Sequence, residues 1–180
     1  SKSFPNNKGT VIVKHGNPCG ASIHKNNNES FSMAHKCDPT SSFGGIVSCN
    51  FKINRSLALK INKLFFEVII GNGFENDALS ILKTKKNVRI INSKNYEVFS
   101  KNNLISNMHF ALAQTPDDKK FTISDFKIVS KARPSRKTFE NLIFAFNVCR
   151  FVKSNAIVLT NGKSTVGIGS GPVSYTHLTL

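Results

Sequence analysis

Residues 11–22 read VIVKHGNPCGAS, and the fold depends on how this stretch divides. Val11, Ile12 and Val13 form a short β-branched run, so TVIVK at 10–14 reads as a buried strand. GNPCG at 16–20 then reads as a turn. Pro18 fixes φ, while Gly16 and Gly20 permit unusual dihedrals. Lys14 and His15 stand between the two. Consecutive strand side chains point to opposite faces. Both can reach one site only where the strand ends and the turn rotates the backbone.

Outward from this stretch, strands and helices alternate. Glu29–Lys36 reads as a short helix, and Ile46–Cys49 as a second strand. Leu57, Ile61, Leu64 and Phe65 recur at helical spacing, and the run Phe66–Ile70 suits another buried strand. Ala78, Ile81 and Leu82 share a helix face, and NVRIIN at 87–92 is a strand. Ser93–Lys120 has less pattern and reads as an edge strand or loop. Ser135 is an N-cap candidate for the strongest helix, with Leu142, Ile143, Phe146 and Cys149 on one face, extended by Phe139 and Val152. AIVLT and STVGIG flank Asn161-Gly162, a hairpin signal. The alternation argues for an α/β layered fold with a largely parallel sheet, in one domain or one piece of one.

The 180 residues suffice for a sizeable core, and 39% of them are hydrophobic. No apolar run approaches the roughly 20 residues of a membrane span. No signal segment is evident, so a soluble, cytoplasmic protein is expected. Charge is 25 basic against 10 acidic residues, a net of +15. The basic residues are scattered rather than clustered with aromatics. Coding bias toward Lys, Asn, Ile and Phe accounts for that better than a nucleic-acid footprint, so no nucleic-acid partner is expected. A basic nucleic-acid-binding module is the alternative from a different class. The four cysteines (19, 37, 49, 149) lack zinc-knuckle spacing and read as small buried hydrophobes.

Three segments could carry chemistry. At a strand end, His15 can serve as a general base, and Lys14 can stabilise developing negative charge. The bland alternative is a snorkelling Lys and a turn-bonded His. DPTSSFGG at 38–45 could bring backbone N–H groups to a ligand, or be an ordinary loop. KSNAI at 153–157 places Lys153, Ser154 and Asn155 where a helix yields to a strand, or is a plain C-cap. GIGSG at 167–171 is weak evidence for phosphate binding. Pro18-Cys19 is reminiscent of zinc deaminases, but their His-x-Glu and second Cys are missing. No metal site is expected.

Taken in order, VKHGNPCGAS, CDPTSSFGGIVSCN, FFEVIIGNGFENDALSILKTKKNVRII, LIFAFNVCRFVKSNAIVL and TVGIGSG resemble successive blocks of the AICAR transformylase/IMP cyclohydrolase family. The resemblance covers roughly residues 10–171. It implies a partial transformylase domain with a cytidine-deaminase-like layered α/β fold and no zinc site. It implies formyl transfer from 10-formyltetrahydrofolate to AICAR in purine (IMP) biosynthesis, and it admits potassium as a bound monovalent cation. By the same resemblance, Lys14, His15 and Asn155 are catalytic, and Asn17, Asp38, Phe43 and Ser154 bind substrate. A homodimer is implied for the full-length form, with no membrane partner. The family's cyclohydrolase domain and C-terminal stretch have no counterpart here. Pro172 and Tyr175 depart from the family pattern, so 172–180 are expected to be foreign to it.

Overall fold

The computed structural model describes residues 1, 3–5, 7–95, 102–117, 119 and 121–171. Its elements in chain order are β1 (Gly9–Lys14), β2 (Asn17–Ile23), α1 (Asn27–Cys37), α2 (Pro39–Ser42), β3 (Gly45–Cys49), α3 (Arg55–Asn62), β4 (Phe66–Gly71), α4 (Asn76–Leu82), β5 (Arg89–Asn92), β6 (Asn103–Ser106), β7 (Ala111–Gln114), α5 (Arg136–Cys149), β8 (Ile157–Asn161) and β9 (Ser164–Gly169). Seven strands form one sheet in the order β5-β4-β3-β1-β2-β9-β8, and β6 pairs with β7 apart from it.

The α/β class is as expected, but the sheet is mixed rather than largely parallel. Only β3–β4 and β4–β5 run parallel, while β1–β2, β1–β3, β2–β9 and β8–β9 are antiparallel. The difference originates in the opening stretch. Its turn is His15-Gly16 alone, both with positive φ (51° and 75°). Two such residues suit the tightest hairpin connection, whose twist matches that of the flanking strands. NPCG is therefore the start of β2 and not a turn. Pro18 fits there because the register slips between Ile12 and Val13, leaving Cys19 as the extra residue on β2. Gly20 is needed for space rather than for its dihedrals: a Cβ there would lie 1.9 Å from the Ala34 carbonyl oxygen. The second hairpin turns at Gly162-Lys163, with Gly162 at φ 59°.

Alternation along β1 builds two cores. Ile12 joins Phe31, Ala34, Val47, Leu57, Ile61, Ile69, Ala78 and Leu82, which draws α1, α3 and α4 onto one face. Val11 faces the other way, with Ala21, Phe144 and Val148 of α5. Each fully buried Leu, Ile or Phe contributes about 1.5–3 kcal/mol of transfer free energy.

Local signals set the helix ends. Asn54 caps α3 by accepting from the Leu57 N–H at 2.9 Å, and α3 stops at Asn62, so Leu64 and Phe65 fall beyond it. Ser135 caps α5 by accepting from the Thr138 N–H at 3.1 Å. The core face of α5 is not the expected one. Phe144 and Val148 are buried, whereas Leu142 is 54% exposed. Phe146 packs away from the sheet, with ring centroids 5.1 Å from Phe121 and 5.0 Å from Phe126. The helix carries apolar residues on two sides, and the sheet takes only one. Among the described residues, no helix is long and apolar enough to cross a membrane.

Candidate functional site

The sheet has a seam between β2 and β9. Their ladder consists of the single pair Ser22↔Ser164. Next to it the side chain of Thr165 takes over, accepting from the Ala21 N–H at 2.9 Å and donating to the Ala21 carbonyl at 3.2 Å. Toward Asn17 the ladder stops. At that end lies an open cleft of about 400 Å³, lined by Lys14, His15, Asn17, Pro18, Cys19, Asp38, Ser41, Lys153, Ile168 and Ser170.

The β1–β2 turn supplies Lys14, His15 and Asn17 together. The left-handed backbone at His15 rotates the chain so that neighbouring residues line one cavity. The Lys14 ammonium is held by the Phe43 carbonyl at 2.6 Å. Phe43 is the C-cap of α2, its N–H donating to the Thr40 carbonyl, and Asp38 is the N-cap: one carboxylate oxygen accepts from the Ser41 N–H at 2.8 Å. From the far side, Lys153 Nζ donates to the His15 carbonyl at 3.3 Å. Asn17 Oδ1 accepts from the Lys153 backbone N–H at 3.0 Å, and Asn17 Nδ2 donates to Ser170 Oγ at 2.7 Å.

Electrostatically, two lysines and a histidine face one carboxylate, which suits an anionic ligand or developing negative charge. Burial, reinforced by the Asp38 charge, pushes the Cys19 thiol up, and it donates to the Ser41 carbonyl at 3.6 Å. A thiol so held stays protonated at neutral pH and is poorly suited to nucleophilic or metal-ligand work.

Of the residues singled out in the sequence, Lys14, His15, Asn17 and Asp38 line this cleft. Phe43 does not, although its carbonyl anchors Lys14. Its ring is 64% exposed and lies 5.1 Å from Phe65. Ser154 and Asn155 follow directly on Lys153 but are exposed and outside the lining set. The Ser154 carbonyl accepts from the Gly171 N–H at 3.0 Å, which holds this loop beside the end of β9. Lys153, Ser41 and Ser170 were not assigned roles from sequence. KSNAI and GIGSG marked two of these places, but only the sheet order shows that they adjoin β2. The tail 172–180 lies outside the described residues.

A family model described as AICARFT/IMPCHase bienzyme matches residues 1–178. Among curated proteins, the chain is 38% identical over 161 residues to the "Bifunctional purine biosynthesis protein PurH" of Caldicellulosiruptor saccharolyticus, an alignment covering 89% of this chain and 31% of that protein. The protein of the same name from Leptospira biflexa is 42% identical over 164 residues, covering 91% of this chain and 32% of its own length. That from Prochlorococcus marinus strain MIT 9515 is 38% identical over 166 residues, covering 91% and 32%. The chain thus spans about a third of the length of the curated relatives it matches. With a match over nearly all of its residues, the chain belongs to the AICARFT/IMPCHase bienzyme family.

Proposed function

We propose that this chain is part of the transformylase half of a bifunctional purine-biosynthesis enzyme. It would transfer a formyl group from 10-formyltetrahydrofolate to the 5-amino group of AICAR. The observation that carries the reading is the convergence of Lys14, His15, Asn17, Asp38 and Lys153 on one cleft at the β1–β2 turn. A cytidine-deaminase-like layering without zinc, a bound potassium ion, a homodimer in the full-length protein and a cytoplasmic location belong to the same reading.

The chemistry explains the residue types. The AICAR amine is conjugated with its ring and is a weak nucleophile. As its nitrogen bonds to the formyl carbon, a base must take its proton. His15 does this, directly or with the substrate carboxamide as relay. The attack leaves a tetrahedral oxyanion, and the bond from the formyl carbon to the folate nitrogen then breaks as that nitrogen takes up a proton. Lys14 stabilises charge on the folate side. Asn155 positions the formyl group and the amine. Asp38 lies toward the folate, and Phe43 and Ser154 belong to the substrate-binding set.

Formyl transfer to AICAR, measured with the full-length protein that carries this chain, tests the proposal. His15→Ala lowers turnover by about 10²-fold or more. Near-normal turnover removes its role as base. The 180-residue chain alone turns over slowly, since the proposed site is completed by residues beyond it; robust turnover by the chain alone overturns that part of the reading.

A further inference from the structure

We infer that Asn17 is a positioning residue. It acts by fixing the 153–155 loop against the β1–β2 turn, rather than by touching substrate.

Both ends of its amide are already committed to the protein. The Lys153 backbone N–H can only donate, so the atom 3.0 Å from it must be the Asn17 oxygen. The nitrogen then faces Ser170 Oγ at 2.7 Å. One side chain on β2 therefore joins two segments far along the chain, the end of the α5 connection and the end of β9. It does so where the backbone cannot. The β2–β9 ladder is the single pair Ser22↔Ser164, and continuing that register would set Asn17 opposite Gly169. No ladder bond forms there among the described residues, so the Asn17 amide takes the ladder's place.

The loop it holds is tied at two further points. The Ser154 carbonyl accepts from the Gly171 N–H at 3.0 Å, and Lys153 Nζ returns to the His15 carbonyl at 3.3 Å. The spacing of His15 and Asn155 therefore rests on four ties, two of which Asn17 supplies. A displacement of about 1 Å in such a pair can cost roughly 10²-fold in rate.

The role implies an unusual tolerance. Asn17→Asp keeps the acceptor for the Lys153 N–H, and the Ser170 hydroxyl can reverse to donate to the second oxygen. Asn17→Leu loses both ties at similar volume.

Only the turnover arm of the test rests on the formyl-transfer reading. Amide hydrogen exchange in the 180-residue chain is independent of it. Asn17→Leu is expected to speed exchange at Lys153 by about tenfold or more, with Ile12 and Val47 unchanged, and Asn17→Asp to leave Lys153 protected. In the full-length protein, Asn17→Leu is expected to lower kcat by about tenfold or more with KM for AICAR little changed. Combining it with Asn155→Ala is expected to add little beyond Asn155→Ala alone. If Asn17→Leu does not fold, Ser170→Ala cuts one tie only and is expected to raise Lys153 exchange a few-fold. Unchanged Lys153 exchange, multiplying losses in the double variant, or a loss carried by KM overturns the inference. Absence of formyl transfer in the parent protein sinks the proposed function instead, and the exchange result still decides the role of Asn17.

Discussion

Lys153 Nζ donates to the carbonyl oxygen of His15 at 3.3 Å, on the one non-glycine residue of the β1–β2 turn, where φ is 51°. A side chain in this left-handed region costs about 1–2 kcal/mol. Such strain collects where a side chain is needed for another reason. Replacing His15 by Gly therefore separates stability from function. His15→Gly is expected to be as stable as the parent or more so, by up to about 1 kcal/mol in urea denaturation. In the full-length protein its formyl-transfer rate is expected to fall by about 10²-fold. A large loss of stability in His15→Gly would show that the ring itself holds the turn.

Gly20 reports on how closely α1 approaches the sheet. A Cβ there would meet the Ala34 carbonyl oxygen at 1.9 Å and the Cys37 Cβ at 3.1 Å. The first neighbour is helix backbone and cannot swing aside. Gly20→Ala is expected to cost about 2–3 kcal/mol or more, against about 1–3 kcal/mol for ordinary overpacking. The measurement is the shift in denaturation midpoint. A change below about 0.5 kcal/mol would mean that α1 moves freely on the sheet.

The α5 helix shows what could and could not be read from sequence. Its start at Ser135 is a local matter, and the cap is where the sequence places it. Its core face is not local. Phe139, Leu142, Ile143, Phe144, Phe146 and Val148 offer more than one stripe at helical spacing, and only the sheet selects Phe144 and Val148. The hairpin was misread for a related reason. Pro18 and Gly20 look like turn residues until the slip between Ile12 and Val13 shows how a strand takes them in. The cleft was half legible. Lys14, His15 and Asn17 are neighbours in sequence, but Lys153 meets Asn17 across 136 residues. Two truncations test the face. Phe144→Ala is expected to cost about 3–5 kcal/mol. Leu142→Ala is expected to cost under about 1 kcal/mol. Equal costs would mean that both faces of α5 are buried in solution.

Cys49 gives the stability a pH dependence on the alkaline side. It is wholly buried, and burial pushes its thiol up to about 12, opposed by the Thr10 hydroxyl. A group that holds its proton more tightly when folded contributes fully below its unfolded value, about 8.5 for a thiol. That contribution is lost as pH rises through 12. Urea midpoints are therefore expected to fall between pH 8 and pH 11, and less steeply in Cys49→Ala. The slope does not vanish, because burial also raises Cys19 and Cys37. Equal slopes in parent and variant would place the alkaline loss elsewhere. Alkylation by iodoacetamide at pH 8 is expected to spare Cys49 until the chain unfolds.

Arg150 anchors the segment before α5. Its side chain is only 12% exposed and bonds Asp117 Oδ1 at 2.6 Å. Its guanidinium also donates to the Lys119 carbonyl at 2.6 Å and the Asp117 carbonyl at 2.9 Å, and lies 4.7 Å from the Phe121 ring centroid. Most surface ion pairs add about 0–1 kcal/mol. Here a planar fork serves a carboxylate, two carbonyls and a ring face at once, which a lysine cannot reproduce. Arg150→Lys and Arg150→Ala are both expected to free Asp117, Lys119 and Phe121 from this anchor, raising tryptic cutting after Lys119 by about tenfold while the core stays intact. If Arg150→Lys cuts no faster than the parent, charge alone holds the segment. If neither variant does, the Phe121, Phe126 and Phe146 cluster holds it without the arginine.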